Sequence, residues 1–142
     1  MSTPEQITNS LIKEFDKLND IREQSLKLSR EIIKVCSKSI RNIHRNNLND
    51  AKQHLDEANK NYQNLRALLE NIPELRFAGY VNDSERELVE AFLVFEFENT
   101  NSLLKFASMN VSASNYIQGL GDAIGEWRRK VLDHLRKLEI EE

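Results

Sequence analysis

The sequence predicts an all-α fold, an antiparallel helical bundle with a long first helix. Three observations predict it. Turn residues are scarce, with four glycines and two prolines in 142 residues, fewer than a sheet-rich chain needs. Apolar residues recur every three or four positions along four long stretches, which is the period of an amphipathic helix. Hydrophobic and charged residues make up 39% and 30% of the chain, a balance suited to helices with one buried face. At this length one domain spanning residues 1–142 is expected, because the chain can enclose one core but not two.

The first helix starts at Thr3-Pro4-Glu5-Gln6, where Thr3 can cap, Pro4 suits the first turn and Gln6 completes a capping box. Ile7, Leu11, Phe15, Leu18, Ile21, Leu28, Ile32, Cys36, Ile40 and Ile43 then hold helical spacing up to Asn46-Asn47. The result is one helix of about 40 residues, on the order of 60 Å long. A second helix carries Leu48, Ala51, Leu55, Ala58, Tyr62, Leu65 and Leu69 as an unbroken seam for an antiparallel neighbour. Asn71-Ile72-Pro73 ends it, and residues from Pro73 to Asp83 form the one substantial loop. Ser84-Glu85-Arg86-Glu87 matches a capping box and opens a third helix running to about Ala107. Between Leu88 and Phe97 only Glu90 and Glu96 are polar, so this helix belongs in the middle of the bundle. The fourth begins near Ser112, with Ile117, Leu120, Ile124, Trp127, Val131 and Leu138 as its apolar stripe. No stop signal follows Leu138, and the acidic ending Glu139-Ile140-Glu141-Glu142 opposes the helix dipole.

The formal net charge is −3, but it is unevenly spread, with +5 between Gln24 and Asn46 and −8 elsewhere. A single cysteine, Cys36, excludes an intrachain disulfide and falls on the apolar stripe, where a core role outweighs a nucleophilic one. No leader precedes Pro4 and no apolar run approaches membrane-spanning length, so no membrane partner and a cytoplasmic setting are expected.

The chemistry concentrates in four acids. Glu87 and Glu90 are three residues apart on the third helix, and Asp122 and Glu126 four apart on the fourth. Each spacing puts two carboxylates on one helix face. Packed together, those faces would gather like charges that must protonate or bind a cation. Oxygen ligands favour Mg²⁺ or Mn²⁺ over zinc, and such an ion suits phosphodiester or pyrophosphate hydrolysis. Bland readings stand beside this one. Glu87 could serve only its capping box, and Asp122 and Glu126 lie opposite the apolar stripe, where solvated acids normally go. Glu90, ringed by Val89, Ala91, Phe92, Leu93 and Val94, has no such bland reading. Three glycines at 119, 121 and 125 argue that the acidic side of the fourth helix faces something close, since each costs roughly 1 kcal/mol against alanine.

YIQGLGDAIGEWRR, residues 116–129, resembles the signature near the end of the translin family. DSERELVEA and the apolar helix after it resemble the matching segment of the family's nuclease member, translin-associated factor X. REIIKVCSKSIRNIHRNNLNDAKQHLDEA is similar to the first two helices of archaeal members, so the likeness runs over most of the chain. It implies an all-helical protein that self-associates into closed shells, binds RNA and, in the factor X type, cleaves it with a Mg²⁺-dependent carboxylate site. The residues matching that site are Glu87, Glu90, Asp122 and Glu126, which plain translin lacks. Family members usually continue with further helices beyond the point where this sequence ends.

RNA binding also has support from the residues themselves. Lys27, Arg30, Lys34, Lys38, Arg41 and Arg45 form one basic stripe opposite the apolar stripe of the first helix. Such a stripe neutralises phosphates without reading sequence, so single-stranded DNA is a second conceivable partner. Arg128 and Arg129, just past the acids, could place phosphates near a metal. The three histidines lack a glutamate three residues earlier, so the di-iron Glu-x-x-His device is absent. The leading expectation is a Mg²⁺-dependent endoribonuclease subunit. The alternatives are a catalytically silent RNA-binding scaffold and an all-α nucleotide pyrophosphatase, whose second acid pair would have a different order and spacing.

Overall fold

The computed structural model describes residues 1–141, with side chains to Leu138. Helix α1 spans Pro4–His44, α2 Leu48–Leu69, α3 Pro73–Arg76, α4 Gly79–Thr100 and α5 Ala113–Glu141, with one 3-10 turn at Phe106–Ser108. The described residues contain no strand. Local signals account for the first boundaries. Thr3 and Gln6 form the expected reciprocal cap, with Thr3 N–H donating to Gln6 Oε1 at 2.9 Å and Gln6 N–H to Thr3 Oγ1 at 3.2 Å. At the far end Asn46 takes φ 58°. Asn47 N–H then reaches Asn42 O and Asn46 N–H reaches Ile43 O, both at 2.9 Å, which together form a Schellman stop. Asn47 next caps α2 by accepting from Asp50 N–H.

The seam of α2 is buried as expected: Ala51, Leu55, Ala58, Tyr62, Leu65 and Leu69 all face the core. Against it pack Ile32, Val35, Cys36, Ile40 and Ile43 of α1 and Leu88, Val89, Leu93 and Val94 of α4. Helix α4 is central, in contact with α1, α2 and α5. Its apolar surface is covered within one chain, apart from Phe97. Exposed apolar surface lies elsewhere, at Ile7, Leu11, Ile12 and Phe15 of α1 and at Val131, Leu132 and Leu135 of α5.

Three sequence expectations are corrected. The segment from Pro73 to Asp83 is not a loop: it holds α3 and the first turn of α4, because Ala78 in extended geometry lets the helix begin at Gly79. Ser84 is therefore no cap but a buried residue donating to Val81 O, and Glu87 lies in the helix interior. Helix α4 ends at Thr100, where Asn101 adopts φ 55°, rather than near Ala107.

Residues 101–112 do not simply turn the chain round; they run back along the bundle. Tyr116 Oη donates to Leu104 O and Tyr62 Oη to Asn110 O, holding this return segment in place. Helix α5 consequently runs in the same sense as α4, as its successive pairings record: Asn115 with Glu85, Gly119 against Val89, Phe97 with Trp127, Glu98 with Lys130. Helices α1, α2 and α4 alternate in direction. The expectation about the acidic ending falls on side chains outside those described.

Candidate active site

The rotation of α5 decides where its acids point. Its expected stripe is only partly buried: Ile117, Ile124, Val131 and Leu138 are exposed, and Leu120 and Trp127 are half-buried. Asn115, Gly119 and Ala123 are the buried positions instead. A Cβ on Gly119 would stand 2.6 Å from Val89 Cβ and 2.8 Å from Arg86 O, so hydrogen is the only side chain this approach admits. Gly121 and Gly125 meet nothing within 4 Å, so close approach explains one glycine of the three. Asp122 and Glu126 fall on the same wheel sector as Gly119 and Ala123. Glu126 is half-buried against His44 of α1, while Asp122 stays exposed with its carboxylate on Arg86 of α4, so the reading of a solvated face fails for Glu126 and holds for Asp122.

Glu87, Glu90 and Glu126 line one cleft of about 350 Å³. Its floor is α4; α1 contributes Ser37, Ile40, Arg41 and His44, its cap residue Arg45 joins them, and α5 adds Arg129 and Asp133. Asp122 stands at the flank, its Oδ2 3.1 Å from Arg86 Nε. Burial pushes the Glu90 carboxyl up to about 7, with the charges of Glu87, Glu126 and Asp122 adding to the effect. The carboxyl of Glu87 is raised by burial too; Arg86 opposes the rise and Asp122, Asp83 and Glu126 reinforce it. Electrostatically the four acids are thus one group, although only three share the cleft.

The basic residues divide. Arg41, Arg45 and Arg129 line the cleft together with the acids. Lys27, Arg30 and Lys34 are exposed and Lys38 half-buried along α1, with Lys34 Nζ 3.4 Å from Glu31 Oε2. Arg128 is exposed and does not line the cleft. Sequence reasoning passed over two contributors. His44 Nε2 lies 2.6 Å from Glu126 Oε2, joining the last turn of α1 to α5. Arg86 tethers Asp122. Both partners are remote in sequence, so a search for ligands three or four residues apart could not find them.

As the side chains stand, no three His, Cys, Asp or Glu among the described residues converge closely enough to hold a metal ion. Glu126 is turned to His44 and Asp122 to Arg86. The donor chemistry nevertheless fits a divalent cation: carboxylates that raise one another's pKa would be relieved by added positive charge. A larger cavity of about 650 Å³ opens at the other end of the bundle, beside Arg66, Arg76 and Phe77. Its arginines are committed to Glu85, so it is not the site of the unpaired acids.

No protein-family model matches the chain. An uncharacterised protein of Methanocaldococcus jannaschii is 36% identical over 130 residues, which is 90% of this chain and 57% of that relative. The chain therefore spans little more than half the length of the curated relative it matches. Among solved structures, the AfC3PO–duplex RNA complex superposes with a TM-score of 0.83 and 28% identity, covering 94% of this chain and 69% of that one. The AfC3PO crystal structure gives 0.83 and 29%, with 92% and 67% covered. The fold is also that of apo-NeC3PO, with a TM-score of 0.84 at 21% identity, covering 96% and 72%. No described helix is long and apolar enough to cross a membrane.

Proposed function

We propose that the chain, which shares the helical fold of AfC3PO, is a translin-family protein and an RNA-binding, RNA-cleaving subunit acting in the cytoplasm. The observation that carries this reading is the mixed lining of the cleft: the carboxylates of Glu87 and Glu90 on α4 and Glu126 on α5 share it with Arg41, Arg45 and Arg129. One solved relative holds duplex RNA. Arginines at the cleft would take phosphodiester oxygens as paired N–H donors. Lys27, Arg30, Lys34 and Lys38 extend the phosphate track down α1, independent of base sequence. Single-stranded DNA would meet the same track.

Glu87, Glu90 and Glu126 would hold Mg²⁺ or Mn²⁺, with Asp122 at the flank adding negative charge. A cation so held supplies Lewis-acid polarisation of the phosphoryl group. The chain's own contribution is positional. Arg86 keeps Asp122 beside the acids, and the arginines hold the strand against the cleft. Self-association belongs to the same reading: the apolar residues left exposed on α1 and α5 are candidates for burial between copies.

The test is incubation with single-stranded and duplex RNA, with Mg²⁺ or EDTA, for the native chain and for Glu90→Gln and Asp122→Asn. Metal-dependent cleavage is expected, reduced at least about 100-fold in each variant while RNA binding persists. Binding without cleavage in the native chain would identify a silent scaffold subunit. Hydrolysis of nucleoside triphosphates but not of RNA would identify a pyrophosphatase.

A further inference from the structure

We propose that His44 is a nitrogen ligand of the cleft cation and makes the site select a first-row transition ion such as Mn²⁺ over Mg²⁺, an inference that rests on the reading of the cleft as a cation site. His44 Nε2 and Glu126 Oε2 lie 2.6 Å apart, brought from α1 and α5 by the fold, and both residues line the cleft. Their side chains are 26% and 21% exposed, open enough for an ion to reach and enclosed enough to hold it. At 2.6 Å the ring nitrogen and the carboxylate oxygen are within hydrogen-bond distance. Two donors at that separation can both reach an ion about 2.0–2.2 Å from each. An ion held there would replace this hydrogen bond, with the imidazole ligating as the neutral base and the bridging proton passing to solvent.

Glu87 and Glu90, which line the same cleft, would complete the set. Their carboxylates are oxygen donors on the floor that His44 and Glu126 share. The resulting donor set is three carboxylates and one imidazole. Mg²⁺ demands oxygen donors and gives up water reluctantly, whereas imidazole suits the later first-row ions, so the nitrogen tilts the site toward Mn²⁺. A merely structural His44–Glu126 link would hold α1 to α5 without touching the ion. The two roles differ in what a bound paramagnetic ion senses.

Mn²⁺ bound to the full chain is the probe, read by electron spin-echo modulation and by counting free ion. Directly coordinated ¹⁴N modulation is expected, and labelling histidine with ¹⁵N should replace it with the ¹⁵N pattern. This arm needs no variant, so it stands even if substitutions at 44 fold poorly. His44→Gln should lose the nitrogen signal and bind Mn²⁺ roughly 10- to 100-fold more weakly. Its Mg²⁺ affinity, from competition, should change no more than about twofold if His44 supplies only the selective donor. Bound Mn²⁺ without nitrogen coupling, or equal loss of both ions in the variant, overturns the role of His44 and leaves the carboxylate site standing. Failure of the native chain to bind Mn²⁺ at all removes the cation reading of the cleft, and this proposal with it.

Discussion

Glu85 and Glu90 sit five residues apart on α4, at 0% and 8% exposure, and the molecule treats them in opposite ways. Glu85 is surrounded by donors. Tyr62 Oη donates to it at 2.9 Å, Arg76 Nη2 at 2.6 Å and Asn115 Nδ2 at 2.7 Å, with Arg66 Nη1 3.7 Å away. Burial and the neighbouring Glu85 charge in turn raise the pKa of the Tyr62 hydroxyl. Glu90 instead has three acids about it, and Arg86 is the cation whose charge opposes them. Similar burial therefore yields a rivet joining α2, α3, α4 and α5 at one end and an electrostatic conflict at the other. The comparison teaches that pairing, rather than depth, separates a structural acid from one poised for a ligand. Unrelieved repulsion inside an otherwise consistent bundle is where function is to be sought.

The comparison breaks first at Glu85. Glu85→Ala leaves the half-buried Arg76 and the buried Tyr62 hydroxyl without their partner and should lower stability by about 3–5 kcal/mol. Chemical denaturation reads this directly, and a loss under about 1 kcal/mol would show that the network is not a rivet. Gly119→Ala comes next, because its Cβ meets Val89 and the backbone of Arg86; overpacking of this kind costs about 1–3 kcal/mol. It should also disturb the Arg86–Asp122 pair, so RNA cleavage should fall with stability.

At the cleft the sign reverses. The Glu90 carboxyl titrates near 7 in the folded chain against 4.5 as the ordinary value, so the folded state binds the extra proton between those pH values. Its favourable contribution is complete below about pH 4.5 and lost as pH rises through 7. Thermal denaturation without divalent cations should show stability falling by about 1–2 kcal/mol across that window, with Glu87 acting in the same direction. Glu90→Gln should flatten the dependence and raise stability at pH 8. An unchanged pH profile would mean that the conflict is absent. Smallest is Gly121→Ala, which meets no atom and should stabilise by less than about 1 kcal/mol, setting it apart from Gly119.

Much of the bundle was legible because its signals are local. The Thr3–Gln6 cap, the Asn46-Asn47 stop and the α2 seam each lie within a few turns of helix, and each stands where the spacing placed it. Ser84-Glu85-Arg86-Glu87 misled for the same reason. A capping box is a short pattern that occurs inside helices too, and here the preceding Ala78 already supplies the extended residue. The α5 stripe was misjudged because small residues carry no hydropathy signal. Gly119 and Ala123 mark the contact face by what they lack.

By itself the sequence determined an all-helical chain, the ends of α1 and α2, a basic stretch on α1 and four acids in two pairs, since composition, period and caps act over one turn at a time. Only the tertiary structure decided that residues 101–112 run back, that α5 lies parallel to α4, and that the sector of Gly119 and Ala123 faces inward. Those choices bring His44 to Glu126 and Asn115 to Glu85, pairs separated by 82 and 30 positions. Such pairs depend on how closely two helices approach and at what rotation, and that is set by the shape of both surfaces together.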